Sequence, residues 1–168
     1  MSDTSHAPSG PEPEPRWLDE AEMRAWQAWR RAVPLVNAAI ARDLARDSGL
    51  SESDYDVLAM LSRSPDRRRR ISGLAELMLW SRSRLSHQLT RMEQRGLVRR
   101  EGVAADGRGA EVVLTEAGFA VIVEAAPMHV ESVRRHLIDL LTPDQLEALA
   151  ALGDTLAAAF NDSPPWRT

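Results

Sequence analysis

The run Leu74-Ala-Glu-Leu-Met-Leu-Trp-Ser-Arg-Ser-Arg-Leu-Ser-His-Gln-Leu-Thr-Arg-Met-Glu-Gln-Arg-Gly-Leu97 decides how the chain is read. Leu74, Leu77 and Met78 fall on one side of a short helix, and Leu85, Leu89 and Met92 recur at the i, i+4, i+7 spacing of a second. Each helix therefore has an inner face. Ser81 suits an N-cap, its hydroxyl accepting from an orphan N–H of the first turn, and Gly96 suits the left-handed residue that closes the helix. Away from the Leu85 stripe point Ser83, Ser86, His87, Thr90, Arg91 and Gln94, with Arg84 on the flank. Short polar side chains, His and Arg on the N-terminal half of a helix can enter a major groove, where base edges offer acceptors. The same face also suits a solvated surface helix, since helix-turn-helix spacing recurs in all-α proteins.

The next segment favours the groove. Leu97-Val-Arg-Arg-Glu101 and Ala110-Glu-Val-Val-Leu114 carry strand-forming residues around Gly102-Val-Ala-Ala-Asp-Gly-Arg-Gly109. This spells a hairpin with a long, Gly-rich tip. A helix-turn-helix followed by such a hairpin is a winged helix, whose wing can lay Arg108 along a phosphate backbone or into a minor groove. Asp106 stands two residues before Arg108, close enough to hold its guanidinium in a bidentate pair.

The runs Ser81-Arg-Ser-Arg-Leu-Ser-His-Gln-Leu89, Arg91-Met-Glu-Gln-Arg-Gly-Leu-Val-Arg99, Asp106-Gly-Arg108 and Leu114-Thr-Glu-Ala-Gly118 resemble the MarR family of bacterial winged helix-turn-helix transcriptional regulators. Leu50-Ser-Glu-Ser-Asp-Tyr-Asp-Val-Leu58 and Leu141-Thr-Pro-Asp-Gln-Leu146 extend the resemblance to nearly everything from Trp17 to Phe160. It implies a homodimer, a recognition helix over Arg82 to Arg95, and a wing whose Asp-x-Arg corresponds to Asp106 and Arg108. It also implies small aromatic or phenolic effectors bound between the dimerisation helices and the winged helix. Trp26, Trp29 and Arg30 are the candidates to line such a crevice, Arg30 pairing with a carboxylate or phenolate. Both Trp also suit a dimer core, and Trp80, in the turn of the motif, is assigned to the core.

The chain has 168 residues, enough for one domain, or two joined lobes, with a real core. The absence of cysteine excludes disulfides, thiolate metal sites and cysteine redox sensing. No apolar run approaches membrane-spanning length and no signal-peptide core is visible, so a soluble cytoplasmic protein without membrane contact is expected. The net charge of -4 hides a segregation: 12 Arg face 5 acids between Ser62 and Arg108, while acids dominate elsewhere. A basic stripe in an acidic protein is the footprint of a chain that touches phosphate on one face. All 21 basic residues are Arg, which carries no functional weight here.

The remaining chain supplies helices. Residues 1–16, rich in Pro, read as a disordered tail. Residues 17–47 form an N-terminal dimerisation helix started by Asp19 and Glu22, with a kink or break at Pro34. The winged helix-turn-helix DNA-binding domain takes 48–114; Ser51 and Asp54 cap its first helix, and Asp66-Arg-Arg-Arg-Arg70 reads as a loop, solvated or touching phosphate. Residues 115–160 are C-terminal dimerisation helices, one capped by Thr115 and bent at Pro127, the other opened by Thr142-Pro-Asp-Gln145; 161–168 is a tail. The first and last helices carry apolar stripes that the winged helix does not use, and a two-fold dimer would bury them.

Catalytic constellations are missing: four His, no Cys and no phosphate-binding Gly-rich loop leave an enzyme, a cofactor and a metal unexpected. His129 and His136 share a helix, yet no carboxylate at helical spacing completes a ligand set around them. The expected fold is mainly α with a small β-hairpin wing, a winged helix-turn-helix plus a helical dimerisation region. The expected function is a homodimeric sequence-specific DNA-binding transcriptional regulator, a repressor released by a small ligand, acting on a pseudo-palindromic double-stranded operator. Ser83, Arg84, His87 and Gln88 would read bases, with Arg82, Ser86, Arg91 and Arg108 on the backbone. Two other classes remain open: a winged-helix module that binds an acidic protein, and a small-molecule receptor or carrier without regulated DNA binding.

Overall fold

The computed structural model describes residues 14–102 and 110–162, with side chains up to residue 160. Most of the two proposed tails and the wing tip, with Asp106 and Arg108, lie outside the described residues. The chain divides after Leu35 into two units. In the first, Asp19 caps helix α1 (Glu20–Ser48) by the expected reciprocal pair: Glu22 N–H donates to Asp19 Oδ1 at 2.8 Å and Asp19 N–H to Glu22 Oε2 at 2.9 Å. The helix runs on through Pro34, so of the kink or break expected there the break does not occur. Proline removes one backbone donor, and the turns on either side keep theirs.

In the second unit the end of α1 is followed by α2 (Glu52–Ser62), strand β1 (Arg68–Arg70), α3 (Ile71–Leu77), α4 (Arg82–Gln94), β2 (Val98–Gly102), β3 (Ala110–Leu114), α5 (Glu116–His136) and α6 (Pro143–Asp162). Helix α5 also continues through its proline, Pro127. The caps read from sequence are all made: Ser51 with Asp54, Ser81 with Arg84, Thr115 with Gly118, and Thr142 with Gln145.

The sheet has one strand more than the hairpin. Its order is β1-β3-β2, all antiparallel, so that Val112 at the centre of β3 lies opposite Arg69 on one side and Arg100 on the other. The arginine run expected as a loop is thus the third strand. Leu58, Leu61, Leu74, Leu85, Leu89, Met92 and Val112 are fully enclosed in a single core. Leu77, expected on the inner face of α3, is instead exposed.

Helix α5 is locked against the start of β2 at Gly118, where a Cβ would overlap the Leu97 carbonyl oxygen. Thr115 holds the same junction, its hydroxyl 2.7 Å from the Gly96 carbonyl oxygen and 3.0 Å from that of Leu97. The end of α4, the start of β2 and α5 therefore meet at one junction.

Candidate nucleic-acid interface

Two tight closures define the turn before α4. Helix α3 ends with Leu79 at φ 54°, Leu79 N–H donating to Glu76 O at 3.1 Å and Trp80 N–H to Ala75 O at 2.9 Å. This is a Schellman closure with Leu where Gly is usual, and the left-handed backbone of a branched residue costs roughly 1–2 kcal/mol. Ser81 then caps α4, its hydroxyl oxygen accepting from Arg84 N–H at 3.1 Å. At the far end Gly96 takes φ 70° and Leu97 N–H donates to Met92 O at 3.0 Å, a second Schellman closure. The helix is thus capped at both ends.

Arg82, Ser83, Arg84, Ser86, His87, Thr90 and Arg91 are exposed on α4. The first turn holds Arg82 and Arg84 and no acid. Cations beside a helix N-terminus oppose the macrodipole by about 0.3–1 kcal/mol each, and an anion placed there would satisfy both dipole and cations. The end of the helix is thus built to attract negative charge.

Gln88 does not belong to this face. It is 2 % exposed, donates through Nε2 to Asp54 Oδ1 at 2.7 Å, and accepts from Arg91 through Oε1. Leu85, Gln88, Leu89 and Met92 form one i, i+3, i+4, i+7 stripe, so the helical angle directs Gln88 inward whatever its polarity. The expectation that it reads bases is corrected: it is a buried bracket between α2 and α4.

Asp54 is the other half of that bracket. Its carboxylate caps α2 by accepting from Ser51 N–H at 3.0 Å, receives Gln88, and pairs with Arg95 at 2.8 Å. Burial pushes its carboxyl up, but the hydrogen bonds from Ser51 and the Arg95 guanidinium outweigh it and hold the group below the usual carboxylate range. From the wing side, Arg100 donates to Ser86 O at 2.8 Å and to Thr90 Oγ1 at 3.1 Å, and pairs with Glu93 at 3.0 Å. Asp54 and Arg100 clamp α4 from two sides. Neither stands out in the sequence as a clamp, because each partner lies on a different element.

Most of the arginine run is already engaged. Arg67 pairs with Glu116 at 3.0 Å and lies 3.5 Å over the Phe119 ring, Arg68 pairs with Glu101 at 3.3 Å, and Arg69 donates to Ser64 Oγ. These contacts fasten β1 to its surroundings.

The proposed effector residues separate. Trp26 and Arg30 line a shallow groove on α1 with Met23, Gln27 and Arg31, the Arg30 guanidinium 5.7 Å from the Trp26 ring centre. Trp29 is exposed and does not border that groove. A larger cavity, of about 620 Å³, lies elsewhere, lined by Tyr55, Met60, Arg63, Met78, Trp80 and His129 among others. Its lining comes from α2, the turn before α4, and α5, which is why no single motif revealed it.

Within the cavity the His129 ring lies tilted by 35° against Tyr55, the ring centres 4.1 Å apart; its Nδ1 is buried without a hydrogen-bond partner among the described residues, and burial pushes its pKa down. His136, one of the pair considered for a metal, instead lies with Nε2 2.8 Å from Asp43 Oδ2. Asp43 also accepts from Ser132 at 2.9 Å and pairs with Arg46 at 2.8 Å. The two histidines thus have separate surroundings.

Residues 48–109 match the sequence model of the MarR family. The HTH-type transcriptional regulator PecS of Dickeya dadantii is 34% identical over 133 residues, covering 75% of this chain and 74% of PecS. Among solved structures, AbsC, a MarR family transcriptional regulator from Streptomyces coelicolor, superposes with a TM-score of 0.83 at 42% identity, covering 89% of this chain and all (100%) of AbsC. Sco3205, a MarR family regulator from the same organism solved in complex with DNA, gives a TM-score of 0.84 at 38% identity, covering 92% and 95% of the two chains. Winged helix, flanking helices and sequence agree across almost the whole length, and the chain belongs to the MarR family of winged-helix transcriptional regulators.

Proposed function

We propose that the protein is a homodimeric, sequence-specific DNA-binding regulator, a repressor released by a small aromatic or phenolic ligand. The observation that carries the DNA reading is the N-terminal half of α4: Arg82, Ser83, Arg84 and His87 are exposed beside an acid-free helix N-terminus, on a helix clamped at both ends. Ser83, Arg84 and His87 would read base edges. Arg82, Ser86 and Arg91 would hold phosphates, joined by Arg108 of the wing, which Asp106 would support. The DNA complex of Sco3205 supports the same use of the fold.

Exposed apolar side chains support the dimer. Leu149, Leu152, Leu156 and Phe160 on α6 are 38–47 % exposed, and Trp17, Met23, Trp26 and Trp29 of the first unit are exposed as well. A second copy would bury such stripes and set two recognition helices about 34 Å apart, matching half-sites of a pseudo-palindrome. The cavity beside His129, aromatic on one wall and cationic at Arg63 and Arg134, supports the ligand; a phenol or carboxylic acid would meet aromatic surface and guanidinium donors there.

Fluorescence anisotropy with the duplex flanking the protein's own gene, against a scrambled duplex across a salt series, tests the reading. The expected result is a strong preference for one site. Arg84→Ala should cost about 1–3 kcal/mol on that site alone, while Arg108→Ala should weaken all duplexes and lower the salt slope by about one. Equal, steeply salt-dependent binding to both duplexes would contradict sequence reading there and favour an acidic protein partner.

A further inference from the structure

Arg84 is not left to solvent on the recognition helix. Its guanidinium lies 4.1 Å over the indole of Trp80. The platform is rigid: Trp80 is half-buried against the core, and its backbone is fixed by the closure that sets Leu79 at φ 54°. The strained Leu79 turns the chain so that residue 80 faces residue 84. A second group acts from α2, where Arg84 lies within electrostatic reach of Asp56, whose carboxyl is pushed up by partial burial and by Glu52 and pulled down by that guanidinium. Without such partners an arginine beside a helix N-terminus would be driven outward by the macrodipole and would sample many rotamers.

We infer that Trp80 is a positioning residue for DNA recognition: its indole fixes the direction of Arg84, so that the arginine meets one base edge with its rotamer already chosen. In this role Trp80 acts through Arg84. It also borders the cavity with Tyr55, Met78 and His129, as does Asp56, so both groups that act on Arg84 line the cavity. A cation over indole is held electrostatically, which restricts the directions in which the guanidinium can reach a guanine edge.

The inference rests on the DNA reading, and its test separates the two. The preferred duplex is altered one base pair at a time, and affinities are measured for the wild type, Arg84→Ala, Trp80→Leu, Trp80→Phe and the Trp80→Leu/Arg84→Ala double variant. The expected result is that Trp80→Leu and Arg84→Ala flatten the preference at the same base pair, by about tenfold or more, and that the double variant loses nothing further. Trp80→Phe, which keeps an aromatic face of weaker quadrupole, should recover most of the preference. In the free protein the Arg84 Cδ protons should show an upfield ring-current shift in NMR that Trp80→Leu abolishes. An unchanged base profile in Trp80→Leu and Trp80→Phe, or an equal loss on every duplex including the scrambled one, overturns the inference and leaves the DNA reading standing. A wild type without preference for any duplex overturns both.

Discussion

Helices α4 and α6 are both amphipathic and of one chain, yet they end in opposite situations. On α4 the stripe Leu85, Leu89 and Met92 is wholly enclosed, each at 0% exposure. On α6 the stripe Leu149, Leu152, Leu156 and Phe160 remains 38–47 % exposed. An apolar stripe states only that a helix wants an apolar neighbour; it does not say which chain supplies one. The winged helix finds its neighbours within the single chain. In the proposed dimer those of α6 come from a second copy, and this difference can be broken experimentally.

The largest effect is expected at the closed end. Leu89→Ala removes a side chain with no solvent contact and should lower unfolding free energy by about 2–5 kcal/mol, read as a fall in the urea midpoint at unchanged m-value. Leu152→Ala should move that midpoint in a protein-concentration-dependent way, because its neighbours would come from another chain. A large, concentration-independent loss at Leu152 would erase the contrast.

Gln88→Leu sharpens the contrast between the inner and outer faces of α4. It strips Asp54 of one donor and should cost about 1–3 kcal/mol of stability, while the base preference of the folded protein stays as it was. A selective change at one base pair would return Gln88 to the reading face.

The smallest effect is a pH dependence at the α1–α5 junction. Hydrogen bonds from His136, Ser132 and Arg46 hold Asp43 at about 2, against partial burial. A carboxylate with a depressed folded pKa stabilises fully above its unfolded value, near 4, and loses that contribution as pH falls toward 2. The wild type should therefore exceed Asp43→Asn in urea midpoint at neutral pH, with the gap closing across that acid window. A gap that stayed constant from pH 6 to pH 2 would remove Asp43 from the junction.

The sequence made legible what is local. Ser51, Ser81, Thr115 and Thr142 each cap with a partner three residues on, and Gly96 supplies the left-handed closure at its own position. What it hid is non-local. Strand β1 is three arginines, without alternation, made a strand only by pairing with Val112 and Val113 more than forty residues away. Gln88 is assigned to base reading, although its spacing from Leu85 already points inward. The cavity joins Tyr55, Trp80 and His129 from three elements, and Trp80, read as core, has one face under Arg84. Chemistry that depends on two distant segments meeting leaves no periodic trace in either.

Whether a second copy completes α6 is decided by the mass of the complex on its preferred duplex, measured by sedimentation velocity for the wild type and for Leu152→Glu. Two chains per duplex are expected for the wild type. The variant should be a free monomer that keeps its helical spectrum and binds the same duplex far more weakly. A single chain bound with full sequence preference, or a Leu152→Glu variant that still binds as a pair, would contradict the dimer built on α6.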